Sequence, residues 1–378
     1  MRITRIEIIQ SKKPIALPIE WKPAWRPNVE PIKSFSFSLY KVYTDEEIVG
    51  FGPCTGDLNP LVLPVLLGLD PFYVEKFWSV LMRGRETCFG RGSYGGLEIA
   101  LWDIVGKALG KPVYRILGAF RDRVMAYAAT SRLLKPEEHV KQVLQIMDVG
   151  FKAVKLRLHR PKPEDDLKVI KAVKDAVGDD LIILVDANQN NQSIGYRYWS
   201  RRTALKMAKE LDRLGVYFLE EPLPRRDLEG LSELAASVDI FIAGGEHSAN
   251  IYEFKEYLLR GAYDILQPDV ILGDIGITGI RKIAFIADYF NRSVIPHVCS
   301  GSNFPLGFAA TLQAVATIDN CPMIEYPYDP PILTVETQQG ILKDPLVVDK
   351  DGTVKVPDNP GIGVEIDEDK MRKVAEFP

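Results

Sequence analysis

The stretch Leu181-Ile-Ile-Leu-Val-Asp186-Ala-Asn188 reads as a short apolar strand that stops on a carboxylate. Two later segments repeat the pattern: Val216-Tyr-Phe-Leu-Glu220, followed by Glu221-Pro222, and Ile240-Phe-Ile-Ala-Gly-Gly245, followed by Glu246. The acids Asp186, Glu220 and Glu246 are spaced by 34 and 26 residues, about one strand-plus-helix unit each. Carboxylates at the C-terminal ends of adjacent parallel strands converge on one point, where three of them need a cation. All-oxygen ligation suits a hard ion, so Mg²⁺ is expected, with Mn²⁺ as the alternative. Glu221 is a candidate outer-shell group, and Asn188 one for the metal shell or for substrate.

Outward from this stretch, a strand–helix alternation starts at residue 121. Candidate strands are Val124–Ala129, Ala153–Leu158, Leu181–Asp186, Val216–Glu220, Ile240–Ala243, Tyr263–Gln267, Ser293–Pro296 and Pro322–Glu325. Helical spacing fills the gaps, as at Leu167, Ile170 and Val173 behind Pro163, and at Ile280, Ile283, Ile286 and Tyr289. Eight short strands, all but the last followed by a helix, imply an α/β fold with a closed parallel barrel over residues 121–340. Residues 1–120 read as a separate α+β unit. It has strands at 1–10 and 35–43, a hairpin turn at Asp45-Glu-Glu before Ile48–Phe51, and helices from Pro71 to Leu117. Pro14–Pro31 is expected to be a long irregular loop of functional importance. Residues 341–378 are turn-rich and too short for their own core, so they should pack back on the N-terminal domain.

The net charge of −4 and isoelectric point near 5.8 argue against nucleic acid or an anionic membrane as the main partner. Cys54, Cys88, Cys299 and Cys321 have no paired spacing and read as free thiols. The opening Met1–Ile9 alternates like a strand rather than a signal peptide, and no apolar run reaches a membrane span, so a cytoplasmic location is expected.

The strand ends carry further chemistry. Alternation in Lys152–His159 puts Lys155, Arg157 and His159 on one face, with Leu156 and Leu158 opposite; three bases there call for an anionic ligand or counter-carboxylates. Asp269 follows the sixth strand and His297 the seventh. A carboxylate on one imidazole nitrogen frees the other to take a proton. Glu325 ends the eighth strand, where a carboxyl could stay protonated and donate a hydrogen bond.

With these residues named, the chain resembles the enolase superfamily, in particular its mandelate racemase-like subgroup. The resemblance rests on Gly95–Lys107 with Gly110-Lys-Pro112, Lys155-Leu-Arg157, Asp186-Ala-Asn188, Glu220-Glu-Pro222, Gly245-Glu246, Asp269 and His297. It implies a (β/α)7β TIM-like barrel under an N-terminal α+β capping domain, an essential Mg²⁺ and commonly a homo-oligomer. It also implies a shared first step, removal of the proton α to a carboxylate to give an enediolate. In that picture Asp186, Glu220 and Glu246 bind the metal, His297 with Asp269 is the acid/base dyad, and Lys155 and Glu325 stabilise the enediolate. The loops around Trp21–Pro31 and Gly52–Asp57 would close the site. Trp21, Asn188, His159 and His247 are the candidate contacts to a small anionic carboxylate substrate. One position departs: the racemase type carries Lys-x-Lys, and the second lysine is here Arg157, a poor base. That favours dehydration of an aldonic or aldaric acid to a 2-keto-3-deoxy acid. The alternatives are a racemase or epimerase, and a non-catalytic binding protein on the same fold.

Overall fold

A computed structural model describes residues 1–11, 13–85, 94–190 and 198–374; Cys88 lies outside them. The N-terminal unit contains β1 (Ile3–Gln10), β2 (Ile15–Trp21), β3 (Ile32–Phe35), β4 (Ser38–Thr44) and β5 (Val49–Pro53). Its helices are α1 (Leu63–Leu66), α2 (Val74–Gly84), α3 (Tyr94–Ala108) and α4 (Val113–Ile116). Strands β1, β4 and β5 form an antiparallel sheet in which Glu47, at φ 63°, turns the β4–β5 hairpin. Helix α3 lies against β5 so closely that a Cβ on Gly52 would stand 1.9 Å from the Gly96 carbonyl oxygen. The segment expected to be an irregular loop is in part a β-ribbon: β2 pairs antiparallel with β3, with a register irregularity between Ala16 and Trp21, while residues 22–31 stay irregular. The mixed spacing around Pro18 hides this pairing, because the ribbon rests on the barrel rim instead of burying one face.

The barrel alternates strictly. Its first units are β6 (Arg123–Ala129), α5 (Pro136–Val149), β7 (Ala153–Arg157), α6 (Pro163–Val177), β8 (Ile182–Asp186), α7 (Arg201–Arg213), β9 (Phe218–Glu220) and α8 (Leu228–Ala235). Then come β10 (Phe241–Gly244), α9 (Ile251–Arg260), β11 (Ile265–Leu266), α10 (Gly276–Tyr289), β12 (Ser293–Val294), α11 (Phe304–Val315) and β13 (Ile324–Pro327). The helices begin and end on ordinary signals. Pro163 opens α6, with three acids in its first turn; Asn250 caps α9, which stops at left-handed Gly261. The parallel ladder runs from β12 through β11, β10, β9, β8, β7 and β6 to β13. Between β12 and β13 the Val294 amide donates to Asn320 O.

After α12 (Val335–Gln338), the last residues bridge both units. β14 (Thr353–Lys355) pairs antiparallel with β6, and the last described element is α13 (Glu368–Val374). The Gly361 and Ile362 amides donate to Lys111 O and Asp103 Oδ1. Among the described residues no helix is long and apolar enough to cross a membrane.

Candidate active site

Inside the barrel the side chains rise in layers. One residue near each strand (Tyr127, Ala153, Leu184, Phe218, Ala243, Ile265, Ile295 and Met323) belongs to a buried apolar plug. Alternation by two then gives Ala129, Lys155, Asp186, Glu220, Gly245, Gln267, His297 and Glu325 as the next inward layer. Chemistry therefore starts one layer above the plug. On the fifth strand that position is Gly245, whose φ of +118° turns the chain so that Glu246 takes the place. A Cβ there would also sit 2.8 Å from Phe254 Cε1.

Asp186, Glu220 and Glu246 each present one carboxylate oxygen within 4.8 Å of the other two, and all three are buried. Burial, reinforced by Asp186, pushes Glu220 up to about 8. Burial also raises Asp186, against Arg157 and Lys155. Glu246 goes the other way: burial raises it, but His297 and His247 hold it below the ordinary carboxylate range. Glu220 Oε1 is buried without a hydrogen-bond partner. Crowded hard oxygen donors, one of them orphaned, fit a divalent Mg²⁺-type ion and no soft metal. Asn188 and Glu221, just past two of the ligands, hold left-handed φ values of 40° and 44°, strain of the kind that gathers at functional sites.

The bases of β7 meet these acids. Lys155 Nζ lies 2.6 Å from Glu220 Oε2 and 2.8 Å from Glu325 Oε1; burial opposes its charge, but the two carboxylates outweigh it and raise its pKa. Arg157 pairs with Asp186, donates from Nε to Thr130 O (2.7 Å) and from Nη1 to Asn188 Oδ1 (3.2 Å), and stacks 4.6 Å over the Trp25 ring. The counter-charges that the sequence demanded are thus carboxylates of the barrel itself. His159 does not reach the cavity. The strand ends at Arg157, and the His159 Nε2 rests 2.9 Å from Asn188 Oδ1 while burial pushes the imidazole down to about 4. At Glu325 burial favours the neutral form, but Lys155, 2.8 Å away, and His297 hold the carboxyl below the usual carboxylate range.

Asp269 and His297 form the opposite wall. Asp269 Oδ1 accepts the amides of Ile271 and Leu272, both at 2.6 Å, and Oδ2 lies 2.6 Å from His297 Nδ1. The other ring nitrogen, Nε2, is 3.4 Å from Glu246 Oε2. Burial disfavours imidazolium, but Glu246 and Glu325 raise His297 well above its ordinary value.

Above these groups opens a cavity of about 520 Å³, walled by the β2–β3 tip and by Arg157, Asn188, Glu246, His247, His297, Cys299 and Glu325. His247 Nε2 is 3.0 Å from Glu246 Oε1. The tip is docked through Ser131: Trp21 Nε1 donates to its hydroxyl (2.9 Å), the Ala24 amide donates to its carbonyl (2.8 Å), and Asp329 fixes the hydroxyl from behind. Trp25 and Arg26, inside the loop expected to close the site but not singled out, and Asn303, not foreseen, also stand on these walls. The crowding of Trp21-Lys-Pro-Ala-Trp25-Arg26 was the only available signal for the first two. The Gly52–Asp57 loop, expected to close the site, is absent from the cavity lining; Gly52 and Pro53 instead finish β5.

Residues 22–118 match the model of the mandelate racemase/muconate lactonizing enzyme N-terminal domain, and residues 138–370 match that of the enolase C-terminal domain-like family. The chain belongs to the mandelate racemase/muconate lactonizing enzyme family of the enolase superfamily. D-galactarolactone cycloisomerase of Agrobacterium fabrum is 32% identical over 88% of this chain and 89% of its own length. Arabinonate dehydratase of Saccharolobus solfataricus is 29% identical over 86% and 87%. An enolase-superfamily member from Polaromonas sp. JS666 superposes with a TM-score of 0.84 at 26% identity, covering 100% of this chain and 98% of that one. Family membership makes this chain an enzyme, with its layered carboxylates, dyad and cap ribbon in one cleft.

Proposed function

We propose that this enzyme is a Mg²⁺-dependent dehydratase of an aldonic or aldaric acid. The observation that carries the reading is the asymmetry of the cleft. His297, backed by Asp269, offers Nε2 on one wall, while Arg157 on the other is bound into Asp186, Thr130 and Asn188. A racemase needs a proton carrier on each face of the planar intermediate, and a guanidinium is none. Asp186, Glu220 and Glu246 would hold Mg²⁺, which when bound supplies electrophilic stabilisation to the substrate carboxylate. The residues of the chain do the rest. Lys155 places a fixed positive charge beside the carboxylate end of the cleft. His297 Nε2 takes the α proton, with Asp269 holding its tautomer. The same proton then goes to the departing β-hydroxyl, which leaves as water, and the enol product ketonises.

A second reading, cycloisomerisation, is favoured by the 32% identity to D-galactarolactone cycloisomerase and needs the same single base. Incubation with Mg²⁺ and a library of aldonic, aldaric and lactone acids separates the two. Dehydration is expected to give a semicarbazide-reactive 2-keto-3-deoxy acid lighter by one water. Cycloisomerisation gives a product of unchanged mass. A library in which no acid reacts or exchanges its α hydrogen in D₂O would overturn both.

A further inference from the structure

We infer that Asp269, His297 and Cys299 form a second metal site, selective for a thiophilic divalent cation such as zinc or cadmium, whose occupation disables the dyad. Each residue presents one ligand atom within 4.8 Å of the other two. Tetrahedral zinc, with ligand bonds of about 2.0–2.3 Å, sets its ligands roughly 3.3–3.8 Å apart; Asp269 Oδ2 and His297 Nδ1, now 2.6 Å apart, must part to admit the ion, and the cation's bonds replace their hydrogen bond. The donor set is oxygen, nitrogen and sulfur, in contrast to the all-oxygen trio on the other side of His297. The two sets therefore sort cations by hardness.

The surroundings are those of a metal ligand shell. Asp269 Oδ1 is already fixed by the Ile271 and Leu272 amides, so Oδ2, now 2.6 Å from His297 Nδ1, is the donor that a cation would take over from that hydrogen bond. When Nδ1 ligates a cation, the imidazole proton resides on Nε2, and Glu246 Oε2, 3.4 Å away, is placed to accept it. Cys299 lines the cavity, which supplies an entry path and a water for the fourth position. Binding expels the thiol proton to solvent and moves the Nδ1 proton to Nε2, or to solvent if the ring was charged. An Nε2 that carries this proton cannot accept one from substrate. The inhibitory half of the inference rests on the proposed role of His297, whereas the binding half does not.

The test titrates the Mg²⁺-saturated enzyme with cadmium chloride and follows the ultraviolet thiolate-to-cadmium charge-transfer band. One equivalent should develop the band, with activity falling in parallel. Cys299→Ser and Cys299→Ala should lose the band and weaken cadmium binding by more than about tenfold, while Cys54→Ser and Cys321→Ser keep it. His297→Asn and Asp269→Asn should retain the thiol yet also bind cadmium at least about tenfold more weakly. A band that survives Cys299→Ser, or unaltered affinity in both dyad variants, would overturn the site. If the band behaves as stated but activity persists, the site stands and the role of His297 falls.

Discussion

Arg157 stands where a second proton carrier would serve a racemase, and its partners explain why it cannot act as one. Its charge neutralises Asp186, and its Nε is committed to the Thr130 carbonyl. Replacing it with methionine strips a buried carboxylate of its cation, which typically costs about 3–5 kcal/mol. Arg157→Met should show that loss in urea unfolding with a chelator present, and a clearly smaller one with saturating Mg²⁺, since the divalent ion also compensates Asp186. Equal losses in both conditions would mean that Asp186 holds no metal. On the other wall, His297→Asn removes the base and keeps the volume. Turnover should drop by at least about 100-fold while Mg²⁺ affinity measured by calorimetry is retained; a near-wild-type rate would take the dyad out of the mechanism.

The strands do more than carry these residues. A two-residue period lifts each one from the apolar plug into the reactive layer, and the fifth strand keeps pace only because Gly245 turns at φ +118°. Gly245→Ala meets both the strained backbone and the Phe254 ring, each costing about 1–3 kcal/mol, and it displaces Glu246. It should lose stability and Mg²⁺ affinity together. Gly261→Ala, also left-handed at φ +62° but with nothing within 4 Å of its Cβ, should cost about 1 kcal/mol and leave metal binding alone. Helix α5 supplies a pH-dependent contribution. Burial, helped by Arg160, pushes His139 down to about 4, and its Nε2 accepts the Leu134 amide at 3.1 Å, which only the unprotonated nitrogen can do. With a folded-state pKa below the ordinary 6.5, the neutral imidazole contributes fully above pH 6.5. That contribution is lost as pH falls toward 4, roughly 3 kcal/mol in all. His139→Gln keeps an acceptor but cannot charge, so its unfolding free energy should fall less between pH 7 and pH 4.5.

Across the whole molecule, the barrel was legible because its strands are short, mostly apolar runs at regular intervals, two of which, Ile182–Asp186 and Phe218–Glu220, end on a carboxylate. The residues proposed as ligands and dyad were legible for a related reason: Asp186 and Glu220 end their strands, and Glu246, Asp269 and His297 follow theirs within three residues. The roof was not. Trp25 and Arg26 acquire their places from how the ribbon docks on Ser131, Asn303 stands at the start of α11, and His159 lies beyond the end of β7 against Asn188; none of these leaves a periodicity to read. If Asp186, Glu220 and Glu246 bind Mg²⁺ only in the folded chain, a concentration 100-fold above Kd should stabilise it by about 2.7 kcal/mol over the chelator-treated protein. An unfolding curve insensitive to Mg²⁺ would exclude the site. The final residues set one more property of the whole. Asp103, in α3 of the N-terminal unit, receives the Ile362 amide, and β14 adds itself to the first barrel strand. A pairing that spans 259 positions cannot form until Ile362 has left the ribosome. The cap therefore lacks this clasp until residues 353–362 emerge. Premature termination near residue 350 would remove the clasp from both units at once, and truncated chains of this length should be substrates for chaperones and proteases rather than partial enzymes.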